Sequence, residues 1–137
     1  MAGTHGHGTT LKFAGATTIL NIISITGPNQ ARDSIDISTM DSTDKWREFI
    51  PGMLDAGELT FEVNYDAVSG STADDLNTLL TATAETVTVT FAPTNATSSW
   101  ACSGFITALG FATPFDEKIT QPVTIKFTGA PTYTDAV

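Results

Sequence analysis

Cysteine is nearly absent from this chain. Cys102 stands alone among 137 residues, so no disulfide can form within one copy, and its apolar surroundings read as those of a buried structural thiol. Histidine is almost as scarce, and both copies, His5 and His7, fall in the small, polar, Gly-rich segment MAGTHGHGTT. Two imidazoles in a mobile arm over residues 1–10, with no thiol or carboxylate beside them, make a poor metal site, and none is left to serve a serine triad. Positive charge is also sparse. Six Lys and Arg face fifteen Asp and Glu, for a formal net charge of −9, which argues against tight nucleic-acid binding and suits a surface that repels polyanions. No apolar run is long enough to cross a membrane, and no basic segment leads into an apolar one as in a secretory signal, so synthesis in the cytoplasm is expected.

Other absences narrow the chemistry. There is no Gly-rich phosphate cradle. Asp41, Asp44, Asp55 and Glu58 lack the spacing and the glycine of a calcium loop, and Asp41 and Asp44 read instead as caps of a turn. Without a secretory route the sequon Asn95-Ala96-Thr97 carries no weight. The expectation is a chain with no cofactor and no enzymatic activity.

What is plentiful is threonine, 25 residues spread through alternating segments. Thr favours half-buried pleated surfaces, and the length suits a single domain over residues 1–137. In chain order, residues 11–14 predict a short strand, with Gly15-Ala16 as a turn. Residues 19–26 predict one strand apolar on both faces. Residues 32–38 alternate, with Ile35 and Ile37 on one side. The clearest alternation is in residues 58–65, where Leu59, Phe61, Val63 and Tyr65 oppose Glu58, Thr60, Glu62 and Asn64. Residues 71–82 change period: Ser71 or Thr72 caps a helix, Asp74 and Asp75 lie in its first turn, and Leu76, Leu79 and Leu80 form the apolar stripe. Strands follow at 85–91, at 99–109 with a bulge near Gly104, and at 123–128, with a turn at 92–98, a loop around Pro114 and an irregular tail over 129–137. Pro122 fits only at a strand's start or on an edge. Trp100 reads as core. The sum is a mainly β fold, an antiparallel β-sandwich or barrel of six or seven strands with one flanking helix.

One stretch does not fit a compact sandwich. Residues 39–57, TMDSTDKWREFIPGMLDAG, stand where a hairpin turn of about 2–5 residues would suffice. They carry Trp46, Phe49, Ile50, Met53 and Leu54, too apolar for a disordered loop. Trp46, Phe49, Ile50 and Met53 follow i, i+3, i+4, i+7, and Pro51 interrupts them, so one helical turn and then irregular chain is expected. Two readings stay open: a lid over the chain's own core, or an arm on a neighbouring subunit. Burying five such side chains contributes roughly 7–15 kcal/mol, at about 1.5–3 each. Association costs about 4–15 kcal/mol, so one arm gives a modest surplus and many arms a durable assembly.

The run Ser38-Thr39-Met40-Asp41-Ser42-Thr43-Asp44, continuing through Trp46-Arg47-Glu48-Phe49-Ile50-Pro51-Gly52 to Asp55-Ala56-Gly57-Glu58, resembles the tail tube (major tail) proteins of long-tailed bacteriophages and phage-derived gene transfer agents. The resemblance implies hexameric rings stacked into a hollow tube, with a β-sandwich and helix in each subunit and a long loop reaching to neighbours. It favours the arm over the lid, and makes Trp46, Arg47, Phe49, Ile50, Met53 and Leu54 candidates for the subunit interface. Asp36, Glu58 and Glu62, on wet strand faces, become candidates for an acidic lumen that passes DNA without binding it tightly. Implied partners are further copies of the chain, a tape measure protein, a tail terminator and baseplate or distal tail proteins, in the tail of a virion or phage-like particle with no membrane contact. Two other readings remain: a monomeric β-sandwich ligand-binding module, and the tube subunit of a contractile secretion system.

Overall fold

The computed structural model describes residues 6–13, 17–19, 21–66, 72–91 and 98–135. The expected turns at 15–16 and 92–98, except Ser98, the sequon at Asn95, the histidine at position 5 and the capping Ser71 lie outside the described residues. Seven strands form one antiparallel sheet: β1 (Thr10–Phe13), β2 (Thr17–Ile19), β3 (Ile22–Thr26), β6 (Glu58–Asn64), β7 (Glu85–Phe91), β8 (Ser98–Leu109) and β9 (Thr120–Thr134). Two more, β4 (Ala31–Asp36) and β5 (Phe49–Asp55), make a separate two-stranded ribbon, and α1 spans Thr72–Leu80.

The order in the large sheet is β2-β1-β7-β8-β9-β6-β3. Its two outermost strands are consecutive in sequence, joined through only Leu20 and Asn21. So short a link holds the two ends of the sheet together, and the sheet curls into a nearly closed barrel rather than two facing layers. Asn21 turns the chain with φ of 62°, a left-handed conformation that Asn tolerates better than most residues. The single strand expected over 19–26 is therefore two strands at opposite ends of the sheet. Ile19 is buried, but Ile23 is exposed where the register shifts between Ile22 and Ser24, while Ile22 and Ile25 pack against the core.

Alternation places the core. Leu59, Phe61 and Val63 on β6 face inward with Val123 and Ile125 on β9, Ile106, Cys102 and Trp100 on β8, Val87 and Val89 on β7, and Leu11 and Phe13 on β1, all buried. Leu76 of α1 enters the same cluster, with Leu79 packed beside it. Trp100 meets Phe127 edge to face at 4.8 Å. Gly104 itself does not bulge: it pairs with Phe127, and a Cβ there would lie 2.7 Å from the Phe127 ring. The register shifts instead on either side, between Ala101 and Ser103 and between Ile106 and Ala108.

The tail expected to be irregular carries β9 on to Thr134, where Trp100 pairs with Tyr133 and Ser99 with Thr134. Gly129 (φ 83°) absorbs the extra residues of the bulge beside it, as a left-handed glycine can. Pro122 lies near the start of β9, where β8 has already ended and the Gly110 N–H donates to the Pro122 carbonyl, so its missing N–H costs no bond on that side.

Candidate functional site

The stretch expected to be a loop over residues 39–57 is the outer half of a longer structure. β4 and β5 pair from Ala31↔Asp55 out to Asp36↔Phe49, and the Ile37 N–H donates to the Glu48 carbonyl at 2.9 Å. Of the residues read as a helical stripe, Phe49, Ile50 and Met53 fall on a strand and Trp46 stands ahead of it at the end of the Thr43–Lys45 turn, while Phe49 and Ile50 point to opposite faces of the ribbon. Two facts override the helical spacing. Pro51 cannot sit inside a helix, yet it is tolerated in a ribbon whose strands each have a free edge. Gly52 lies against Asp33, where a Cβ would be 2.9 Å from the Asp33 Cβ, at the point where the register shifts.

Polar side chains shape the tip. The Thr39 N–H donates to Ser42 Oγ at 2.9 Å, and Ser42 Oγ donates to the Glu48 carboxylate at 3.2 Å. The Glu48 N–H donates to Ser38 Oγ at 2.7 Å, and the Ser38 N–H to Asp36 Oδ1 at 2.8 Å. Arg47 completes the set with a 3.2 Å ion pair to Asp36. The turn over Thr43–Lys45 has Ser42 at its N-cap and no side-chain cap bond, so Asp41 and Asp44 do not cap it. Asp44 (φ 54°) and Lys45 (φ 63°) are both left-handed there.

The root is fixed by backbone. Gly57 (φ 80°) donates its N–H to Asp55 Oδ1 at 2.8 Å and accepts from the Phe127 N–H at 3.1 Å. A Cβ on Gly57 would run into the Asn29 carbonyl. Lys126 reaches Asp55 at 3.3 Å from its place opposite Glu58.

None of the ribbon's large apolar side chains is buried. Trp46 is 75% exposed, Met53 83% and Leu54 74%, with Phe49 at 52%, Ile50 at 44% and Ile35 at 48%. A lid over the chain's own core would have covered them. All six candidate interface residues stand on one projecting element. The three candidate lumen residues are not brought together: Asp36 is on the ribbon and engaged by Arg47, whereas Glu58 and Glu62 share the outward face of β6. Lys126 on β9 faces Glu58, which leaves Glu62, between Ser24 and Pro122, as the carboxylate without a facing cation across its strand pairs. Alternation puts Lys126 on a polar face but does not reveal its place opposite Glu58, which lies sixty-eight residues away in sequence.

Both engaged carboxylates titrate low. Asp36 is held below its ordinary 3.8 by hydrogen bonds from the Ser38 side chain and backbone and from Arg47. Asp55 is lowered by the Gly57 N–H and by Lys126. A carboxylate with a lowered folded value contributes order that is present above its unfolded value and is lost as pH falls through the lower folded one. The amide shifts of Ser38 and Gly57, followed by NMR from neutral pH down to about pH 2, should therefore hold through 3.8 and change below it. A midpoint at or above 3.8 would show that these bonds are absent in solution. Cys102 moves the other way: burial raises its thiol, which keeps it a structural residue.

A nearly closed barrel with one packed helix, carrying a projecting ribbon whose apolar side chains find no cover within the copy, defines a subunit built for assembly. The lambda phage tail tube protein model matches residues 4–134, and the chain belongs to that family. It is a structural tail tube subunit, not an enzyme. Three solved structures share the fold. The tail of an empty gene transfer agent particle, refined with C6 symmetry, is 12% identical with a TM-score of 0.75, over 96% of this chain and 99% of that one. The sheath-tube complex of the extracellular contractile injection system PVC is 13% identical with a TM-score of 0.76, over 98% and 93%. The terminating cap of the anti-feeding prophage tube is 16% identical with a TM-score of 0.75, over 99% and 93%. Sequence comparison with curated proteins gives no match. Among the described residues no helix is long and apolar enough to cross a membrane.

Proposed function

We propose that six copies close into a ring, that rings stack into a tube, and that the ribbon of each copy packs on its neighbours. The observation that carries this reading is the ribbon itself, whose apolar side chains are left in water by a single copy. The six-fold symmetry of the gene transfer agent tail supports the ring size. Closure of a ring also satisfies the free edge of β3, since barrels and rings remove the exposed backbone of an edge strand.

In this assembly the outward face of β3, β6 and β9 lines the lumen. It is small and polar, with Ser24, Thr26, Thr60 and Thr124 around Glu58 and Glu62. A lumen of hydroxyls and carboxylates offers phosphate groups no cation to hold, apart from Lys126, which Asp55 engages. DNA then slides rather than sticks. A terminator at one end and baseplate proteins at the other complete the tube, with a tape measure protein setting its length. The likeness to PVC supports a second reading, in which the same tube serves a contractile injection particle.

Cryo-electron microscopy of the purified chain at high concentration tests both the ring and the lumen. Six-fold rings or tubes are expected, with Glu62 on the inner wall. Particles that stay monomeric with tail-assembly partners present would sink the tube, and Glu62 on the outer wall would sink the lumen assignment.

A further inference from the structure

We propose that the loop joining β8 to β9, residues 110–119, is the seat for the ribbon tip of a second copy, an inference that rests on the tube reading above. This loop has its own exposed aromatics. Phe115 is fully exposed, Phe111 is 60% exposed, and Tyr65 and Ile119 are half out of the surface. Phe111 packs edge to face on Tyr65 at 5.7 Å, and the Tyr65 N–H donates to the Ile119 carbonyl at 3.0 Å. A pair between Ala112 and Thr120 ties the loop back onto the sheet. The patch is thus a braced surface.

Its place in the fold points to its partner. The ribbon leaves the barrel beside Glu58, at the start of β6, and the loop lies against Tyr65, just past the end of β6. Those points are roughly 20 Å apart along seven strand residues at about 3.3 Å each. One copy therefore presents an apolar projection rooted at one end and an apolar patch at the other. Head-to-tail stacking requires two different, complementary surfaces of this kind on each subunit. Within one copy they are not joined, since Phe115 is fully exposed and Trp46 is 75% exposed.

Charge adds one match. At the tip, Lys45 and Arg47 flank Trp46 between Asp44 and Glu48, and Arg47 is held by Asp36 of its own copy. In the loop, Asp116, Glu117 and Lys118 follow Phe115. Lys45 can pair across the contact with Asp116 and lie over the Phe115 ring.

Three forms of the chain test this at one concentration: wild type, Phe115→Asp, and the double variant Lys45→Cys with Asp116→Cys. Phe115→Asp should lower tube yield by about tenfold or more, as loss of an anchor aromatic does, with its thermal unfolding unchanged. The oxidised double variant should give a ladder of dimers and higher multimers that reductant collapses. Wild-type tubes accompanied by normal Phe115→Asp tubes, or by no ladder, would overturn the seat and leave the tube standing. Wild-type chain that forms no tubes at all would overturn both.

Discussion

Replacing Trp46 and Phe49 together with Asp should abolish tubes while leaving the unfolding temperature of the single copy where it was. The two side chains are 75% and 52% exposed, and exposed substitutions away from special backbone usually change stability by less than about 0.5 kcal/mol. In the proposed assembly the same two positions become buried against a neighbour. An unpaired carboxylate there costs at least several kcal/mol, repeated at every ribbon of every ring. A surplus that was modest per ribbon cannot absorb that loss. Electron microscopy and calorimetry on the same samples separate the outcomes. Tubes that persist would remove the ribbon from the interface, whereas a lowered unfolding temperature would mean that Trp46 and Phe49 hold the ribbon itself together.

Where the core imposes a period, the sequence was readable. The face of β6 carrying Leu59, Phe61 and Val63 is buried and the face carrying Glu58 and Glu62 is wet, as the alternation implies. The helix over Thr72–Leu80 and the strand over Glu85–Phe91 fall where the change of period puts them. The ribbon misled for the opposite reason. Its apolar residues serve no core in the copy, so their spacing records neither a helix face nor a strand face, and Pro51 was the better guide. The run from Ile19 to Thr26 misled because periodicity carries no information about which sheet edge a segment joins. Asn21, the residue that divides it, differs little from a strand residue until its left-handed φ is seen. The tail over 129–137 read as irregular, and only the pairing with β8 shows residues 129–131 to be a bulge in a longer strand. Phe111 and Phe115 were legible as residues but not as a patch, since the Tyr65 ring that braces Phe111 comes from just past β6, forty-odd positions earlier.

Gly57→Val should cost the tube as completely as the double carboxylate, by a different route. Gly57 has a φ of 80°, and left-handed backbone costs an ordinary residue about 1–2 kcal/mol, with a β-branched one at the upper end or beyond. The added Cβ would also enter the Asn29 carbonyl. The root can relieve both only by swinging the ribbon, which breaks the Gly57 N–H bond to Asp55 and the Phe127 N–H bond to the Gly57 carbonyl. Every Trp46 then sits displaced from its proposed seat, because a small rotation at the root is multiplied along a strand of seven residues. Lys126→Ala provides the contrast. Its ion pair with Asp55 is well exposed, and such pairs add little to stability, so that variant should still build tubes. Urea unfolding should show Gly57→Val destabilised by about 1–3 kcal/mol, with the barrel still folded. Tubes of unchanged diameter from Gly57→Val would show that the backbone at Gly57 does not set the ribbon's direction. Tubes lost from Lys126→Ala would assign that task to the ion pair instead.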